Sequence, residues 1–290
     1  MRPAFLFRLA LLALALGSLA GCRSSRYFFD APAAYFRYSS QTVPAVSAHR
    51  GGGSYPGYPE NCTESFRMLA KRMPVVIECD IRLTRDSVLV LMHDETLDRT
   101  STGAGPVQAQ DWQALRSLRL EDHEGQATRY GIPTLEEALR WGRGKVAFTL
   151  DVKRGVPYER VVELVQRTGS QGNAAIITYQ ADAAALVHRL DPSLMISVTV
   201  RNEAEYERHR ALGVPDSVMV AFVGTRAPDP AFCRQLHSKG IRCILGTLGN
   251  LDQMAEAQGD HLYREWVQAG ADLLSSDRPL EAWRALQAPE

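Results

Sequence analysis

The chain has 290 residues, 45% of them hydrophobic, and its 33 Lys and Arg are balanced by 33 Asp and Glu. That length suits one large domain behind a short leader. With no basic stripe, nucleic-acid binding has no electrostatic support.

The first residues read as an export signal. Arg2 and Arg8 precede an apolar run from Leu9 to Leu19, followed by small residues and Cys22. This is a secretory layout, and the run is too short for a dependable transmembrane span. Leu19-Ala20-Gly21-Cys22 resembles the lipobox of bacterial lipoproteins. Residues 1–21 are therefore expected to be a lipoprotein signal peptide, with Cys22 lipidated and more than one acyl chain making the membrane anchor stable. The alternative is an ordinary signal with a chance cysteine. Arg23 stands where an aspartate would signal inner-membrane retention, so an outer-membrane lipoprotein facing the periplasm is expected. Residues 22–42 read as a tether and 43–290 as the domain. No protein partner is implied.

From Val43 onward, apolar runs alternate with longer amphipathic segments. Strands are predicted at 43–48, 75–83, 88–92, 146–152, 174–179, 194–200, 217–223, 241–246 and 271–275. Helices are predicted at 61–72, 134–142, 158–168, 181–190, 203–212, 229–239, 252–269 and 279–287. The alternation argues for an α/β fold with a parallel sheet, and the length is that of one (β/α)8 barrel. Periodicity alone does not separate a barrel from an open sheet.

Nine strands are one too many for that barrel. Only Thr84 to Ser87 separate the second from the third, too few for a parallel crossover, so the pair must be an antiparallel hairpin. A turn centred on Arg85-Asp86 would set Glu78 opposite His93 and Asp80 opposite Leu91, with all four on one face. Residues 95–132 break the strand–helix rhythm and read as a small subdomain inserted over the strand ends, where barrels carry specificity.

Parity along the strands locates the chemistry. Val75, Ile77, Cys79, Ile81 and Leu83 share one face of their strand; Val76, Glu78, Asp80 and Arg82 share the other. The outer face of a parallel barrel is covered by helices and must be apolar, so the acidic set points inward. Ala147, Thr149, Asp151 and Lys153 repeat the pattern, and Ala45, Ser47 and His49 share a face on the first strand. Glu78, Asp80 and Asp151 make a hard oxygen site suited to one divalent cation, Mg²⁺ or Ca²⁺. An ion-pair network with Arg82, Lys153 and Arg50 is the structural alternative. Arg50 offers a fork for phosphate and Lys153 a point charge. His49 and His93 are the acid/base candidates. His123, His188, His209, His237 and His261 read as surface residues. Cys79 reads as buried packing. Cys62, Cys79, Cys233 and Cys243 leave three disulfide pairings open, and none has zinc spacing.

The ordered set of motifs resembles the glycerophosphodiester phosphodiesterase family. It comprises His49-Arg50-Gly51, Pro59-Glu60-Asn61, Glu78-Cys79-Asp80, His93-Asp94 with Arg99-Thr100, Pro133-Thr134-Leu135, Asp151-Val152-Lys153 and Asp277-Arg278-Pro279. The resemblance implies a (β/α)8 TIM barrel with an inserted subdomain. It implies Glu78, Asp80 and Asp151 as metal ligands, His49 and His93 as acid and base, and Arg50 and Lys153 as phosphate contacts. Glu60 and Asn61 would support the site. Two departures stand out. Asp151 replaces the family's glutamate, and Leu245-Gly246-Thr247-Leu248-Gly249-Asn250 replaces its Trp-Thr-Val-Asn strand. The expected reaction is metal-dependent hydrolysis of a small-molecule glycerophosphodiester to glycerol 3-phosphate and an alcohol. A lysophospholipid, a glycerophosphoinositol or a sugar phosphodiester are alternative substrates, and a non-catalytic binding lipoprotein on a degenerate barrel is the rival of another class.

Overall fold

The computed structural model describes residues 36–288. The expected signal peptide, the expected lipidation site Cys22 and residues 22–35 of the expected tether lie outside the described residues. Nine strands follow in order: β1 (Ala45–Ala48), β2 (Val76–Leu83), β3 (Leu89–Leu91), β4 (Ala147–Val152), β5 (Ala174–Thr178), β6 (Met195–Thr199), β7 (Met219–Gly224), β8 (Arg242–Gly246) and β9 (Leu273–Ser276). Every predicted strand is present within two residues of its expected ends. All but β3 are parallel neighbours, and β1 pairs with both β2 and β9. The sheet thus closes on itself as a (β/α)8 barrel.

The helices are α1 (Thr63–Ala70), α2 (Trp112–Leu115), α3 (Leu135–Gly142), α4 (Tyr158–Arg167), α5 (Ala181–Leu190), α6 (Glu203–Ala211), α7 (Pro230–Ser238), α8 (Asn250–Gln258), α9 (Leu262–Gln268) and α10 (Pro279–Gln287). The single helix expected over 252–269 is two. Gly259 has φ 121, a backbone conformation no α-helix passes through.

The parity argument holds in packing. On β4, Phe148 points outward against Phe66 of α1, with ring centroids 6.4 Å apart. It also fills the space over Gly142 of α3, where a Cβ would lie 2.2 Å from its ring. Burying such a ring contributes about 1.5–3 kcal/mol. Thr149 and Asp151, one residue out of phase, line the barrel mouth instead.

The hairpin exists, but its register is shifted by one from the expected one. Ile81 pairs with Leu91, Arg82 with Val90 and Leu83 with Leu89, so Asp80 sits opposite Met92, not Leu91. The turn has three residues, not two, because Ser87 takes the left-handed conformation at φ 63. This is the turn-plus-left-handed-residue solution for a three-residue hairpin loop. Asp86 fixes it by accepting from Thr84 Oγ1 at 2.6 Å and from the Trp112 N–H at 3.0 Å. The shift puts Leu89 and Leu91 in the main core and Val90 and Met92 in the core of the insertion. β3 is therefore the seam between barrel and insertion.

Two further expectations change. His209 is buried, and its Nε2–H donates to the Thr199 carbonyl at 3.3 Å. His237 donates to Asp272 at 2.8 Å and stacks on Tyr38 with centroids 3.7 Å apart. Neither is a surface histidine. Tyr38 and the buried Phe36 show that the last residues of the expected tether pack onto the barrel. Cys62, Cys79, Cys233 and Cys243 are buried free thiols, and Cys233 and Cys243 hydrogen-bond each other.

A left-handed Ser87 makes a stability prediction. Ser87→Val should cost about 1–2 kcal/mol, whereas Ser87→Gly should leave stability unchanged or higher. Denaturant melts of the two variants read the difference.

Candidate active site

The acidic centre comes from two adjacent strands. The β2–β4 register sets Asp80 directly beside Asp151, with Glu78 two residues earlier on the same face. Oxygens of the three carboxylates lie within 4.8 Å of one another, and all three residues are buried. Burial, then the Asp80 and Asp151 charges, push Glu78 up to about 8. Three such acids in one low-dielectric site repel strongly unless a cation sits among them.

Part of that charge is met by the protein. Lys153 Nζ lies 2.6 Å from Asp80 Oδ1 and 2.5 Å from Asp151 Oδ2. Burial works to raise the Asp80 carboxyl, but Lys153 and the Asn61 hydrogen bond hold it below its usual value. Asn61, at φ 53, donates its amide to Asp80 Oδ2 at 2.7 Å and accepts the Asp80 N–H at 2.9 Å. The ion-pair alternative is thus realised for Lys153. With all three acids ionised it leaves two negative charges uncompensated, and every carboxylate oxygen retains a lone pair. The donor set, all oxygen and net anionic, fits a hard divalent cation.

The first histidine stands on a strained turn. β1 runs into a short helical turn, His49–Gly51, in which Arg50, Gly51 and Gly52 have φ of 52, 69 and 83. Only glycine fits position 51, because a Cβ there would lie 1.9 Å from the Phe66 ring. The strain turns the Arg50 N–H onto Glu78 Oε2 at 2.6 Å, tying the turn to the acidic centre. His49 Nδ1–H donates to Asp277 Oδ1 at 2.7 Å. Asp277 is placed in turn by the Gly249 N–H at 3.1 Å and by its own N–H on buried Asp252 at 2.7 Å. Burial tends to lower the His49 pKa, but the Asp277 bond and the Glu78 and Asp277 charges raise it above the usual value.

The second histidine belongs to a closed ring of charges. His93 Nδ1–H donates to Asp94 at 2.7 Å. Asp94 and Glu60 both accept from Arg99 at 2.7 Å. Glu60 accepts from Arg50 Nη1 at 3.1 Å, and Arg50 Nη2 returns to His93 Nε2 at 2.9 Å. A guanidinium only donates, so His93 Nε2 must be the bare, accepting nitrogen. The Arg99 bond, ahead of His93, keeps Asp94 ionised far below the carboxylate range. Arg82 holds the loop by donating to the His93 carbonyl at 2.8 Å.

His49, Glu78 and Asp151 open onto a cavity of about 190 Å³ at the strand C-termini, room for roughly six waters. Ser47, Thr149, Ser197 and Ser275 bring hydroxyls to it, and Ile177, Phe222, Ile244 and Leu248 bring apolar surface. Phe222 occupies the space over Gly246, where a Cβ would lie 2.9 Å from its ring. The structure brings the nine candidate side chains together at one end of the barrel; the sequence pattern assigned nothing to Asp277, Tyr179 or Phe222. Asp277 opens the closing Asp-Arg-Pro motif, and that was its one available signal.

The model of the glycerophosphoryl diester phosphodiesterase family matches residues 49–279. The chain belongs to this family. A family member of known structure from Parabacteroides distasonis is 36% identical, with a TM-score of 0.83 over 88% of this chain and 90% of that one. YhdW of Bacillus subtilis (strain 168) is 30% identical over 162 residues, which are 54% of this chain and 65% of YhdW. A glycerophosphodiester phosphodiesterase of the same strain is 29% identical over 167 residues, 51% of this chain and 56% of that relative. The matches thus span between half and two thirds of these two curated relatives. An Oleispira antarctica phosphodiesterase shares the fold at 20% identity and a TM-score of 0.67 over 85% of this chain and 98% of that one; its structure is a complex with the product sn-glycerol-3-phosphate.

The raised Glu78 carboxyl ties cation binding to pH. Below about 8 this family member carries a proton on Glu78, which a cation must displace. Apparent Mg²⁺ affinity, measured by calorimetry, should therefore fall roughly tenfold per pH unit as the pH drops below that value; an affinity constant across that range would contradict the linkage.

Proposed function

We propose that the protein hydrolyses a glycerophosphodiester to glycerol 3-phosphate and an alcohol, with Mg²⁺ or Ca²⁺ held by Glu78, Asp80 and Asp151. The observation that carries the reading is the pair of opposed histidine states. His49 is stabilised in its protonated form by Asp277, while His93 presents a bare Nε2. One can donate a proton and the other can accept one.

The bound cation would supply charge neutralisation of the phosphodiester. The rest is done by the chain. Arg50 has its fork between Glu60 and His93. An arriving phosphate would draw Nη2 from His93, since a charged oxygen is a better acceptor than imidazole. That movement frees His93 Nε2 to take the proton of the nucleophile. Asp94 then stabilises the imidazolium through Nδ1–H. His49 Nε2–H protonates the departing alkoxide, held in aim by Asp277. Lys153, beside the acids, adds positive potential toward the phosphate. Water and the neighbouring glycerol hydroxyl are both competent nucleophiles, and a transient cyclic phosphate in phosphorus NMR distinguishes the second.

The Oleispira product complex makes glycerol 3-phosphate the first product to assay. The alcohol is a separate question, because Leu245-Gly246-Thr247-Leu248-Gly249-Asn250 stands in place of the family's Trp-Thr-Val-Asn strand and the Phe222 ring fills the space over Gly246. A panel of glycerophosphocholine, glycerophosphoinositol, lysophospholipid and sugar phosphodiesters resolves it. Ligand binding without turnover under any cation would instead identify a binding lipoprotein. The leader and Cys22 support export to the periplasmic face of the outer membrane; loss of palmitate labelling in Cys22→Ala tests the anchor.

EDTA should abolish turnover, and Mg²⁺ or Ca²⁺ should restore it. His49→Ala and His93→Ala should each lower kcat by about 10²–10⁴-fold; full activity in both would sink the mechanism. A general acid works below its pKa, so activity is lost as pH rises through the raised His49 value. Asp277→Asn removes the group that raises it, and the alkaline limb of the kcat profile should move to lower pH.

A further inference from the structure

We propose that Tyr179 is a positioning residue for the cation site: its phenol holds the Asp151 carboxylate in the ligating orientation that the shorter aspartate side chain would not keep unaided. The proposal rests on the reading of Glu78, Asp80 and Asp151 as cation ligands.

The geometry points to this role in three ways. Asp151 is one methylene shorter than the glutamate of the family pattern, so its carboxylate reaches less far from β4. Its two oxygens are held from opposite partners: Lys153 Nζ at 2.5 Å on Oδ2 and the Tyr179 O–H at 2.9 Å on Oδ1. Lys153 also binds Asp80 Oδ1 at 2.6 Å, so lysine alone pulls Asp151 sideways toward its neighbour. The tyrosine bond opposes that pull and keeps Oδ1 from turning onto the ammonium.

Tyr179 is also poorly explained as packing. It is 59% exposed, yet its phenol reaches back from the end of β5 to a carboxylate that is 4% exposed. The strand register brings it there. Asp151 pairs with Ile177 across β4 and β5, so residue 179 emerges from the same face one step above. A hydroxyl donor on one lone pair of Oδ1 leaves the second for a cation. Partners of this kind fix ligand orientation, and their loss typically lowers metal affinity by about 10–100-fold.

The test is cation binding, not turnover. Mg²⁺ and Ca²⁺ are titrated calorimetrically into metal-free protein: wild type, Tyr179→Phe, Asp151→Glu, the double variant and Glu78→Gln. Tyr179→Phe keeps the ring and removes only the donor, so the fold should melt as wild type does. Its affinity should fall about 10–100-fold. In the Asp151→Glu background the same substitution should cost less than threefold, because the longer carboxylate reaches the ion without the tether. Unchanged affinity in Tyr179→Phe, or an equal loss in both backgrounds, overturns the proposal. Absence of binding in wild type, or binding that Glu78→Gln leaves intact, overturns the cation reading itself and the proposal with it.

Discussion

Three carboxylates buried together at one end of a barrel dominate the energetics of this protein. Glu78 and Asp80 on β2 and Asp151 on β4 lie within ligating reach of one another. Isolated buried charge of that density is strongly unfavourable. Much of the surrounding structure reads as its compensation. Lys153 spans two of the acids, Asn61 brackets the same Asp80 from its amide and its carbonyl, and the Arg50 N–H caps Glu78. None of these removes the excess negative charge, which is why the centre suits a divalent cation.

The acidic centre and the two histidines are mechanically one unit. Left-handed Arg50 serves both, with its backbone on Glu78 and its side chain on His93. A non-glycine residue at that φ costs about 1–3 kcal/mol and persists only where its surroundings over-determine it. Here the neighbours do so: Gly51 is clamped against Phe66, and the Asn61 N–H holds the Arg50 carbonyl at 2.7 Å. Opposite dispositions of the histidines follow from their partners. His49 donates to Asp277, and that bond with the Glu78 and Asp277 charges raises its pKa against burial and Arg50. His93 is sandwiched between an acceptor and a guanidinium, which leaves Nε2 bare.

Much of this was legible in the residues. Period-2 alternation on β2 and β4 by itself puts Glu78, Asp80 and Asp151 inside, because an outer barrel face must be apolar. The four-residue gap after Leu83 demanded a hairpin. Its register was not legible, since a two-residue and a three-residue turn differ only in whether Ser87 accepts φ 63, and that choice is made by Asp86 bridging to Trp112. Likewise, nothing in 252–269 announced that Gly259 would break the helix instead of riding within it.

The sequence by itself determined the alternation of strands and helices, the inward set of acids and the pairing of two histidines with an arginine. These follow from short-range rules: side-chain period, turn length and the chemistry of residue types. Tertiary structure alone decided which partner each group meets. Asp277 reaches His49 from the last strand, Tyr179 reaches Asp151 from the next one, and the charge ring joins Glu60, Arg99 and Asp94 across the insertion. Such contacts depend on barrel closure and loop path, which no local pattern encodes, and they set the raised pKa of His49, the bare nitrogen of His93 and the orientation of the third carboxylate.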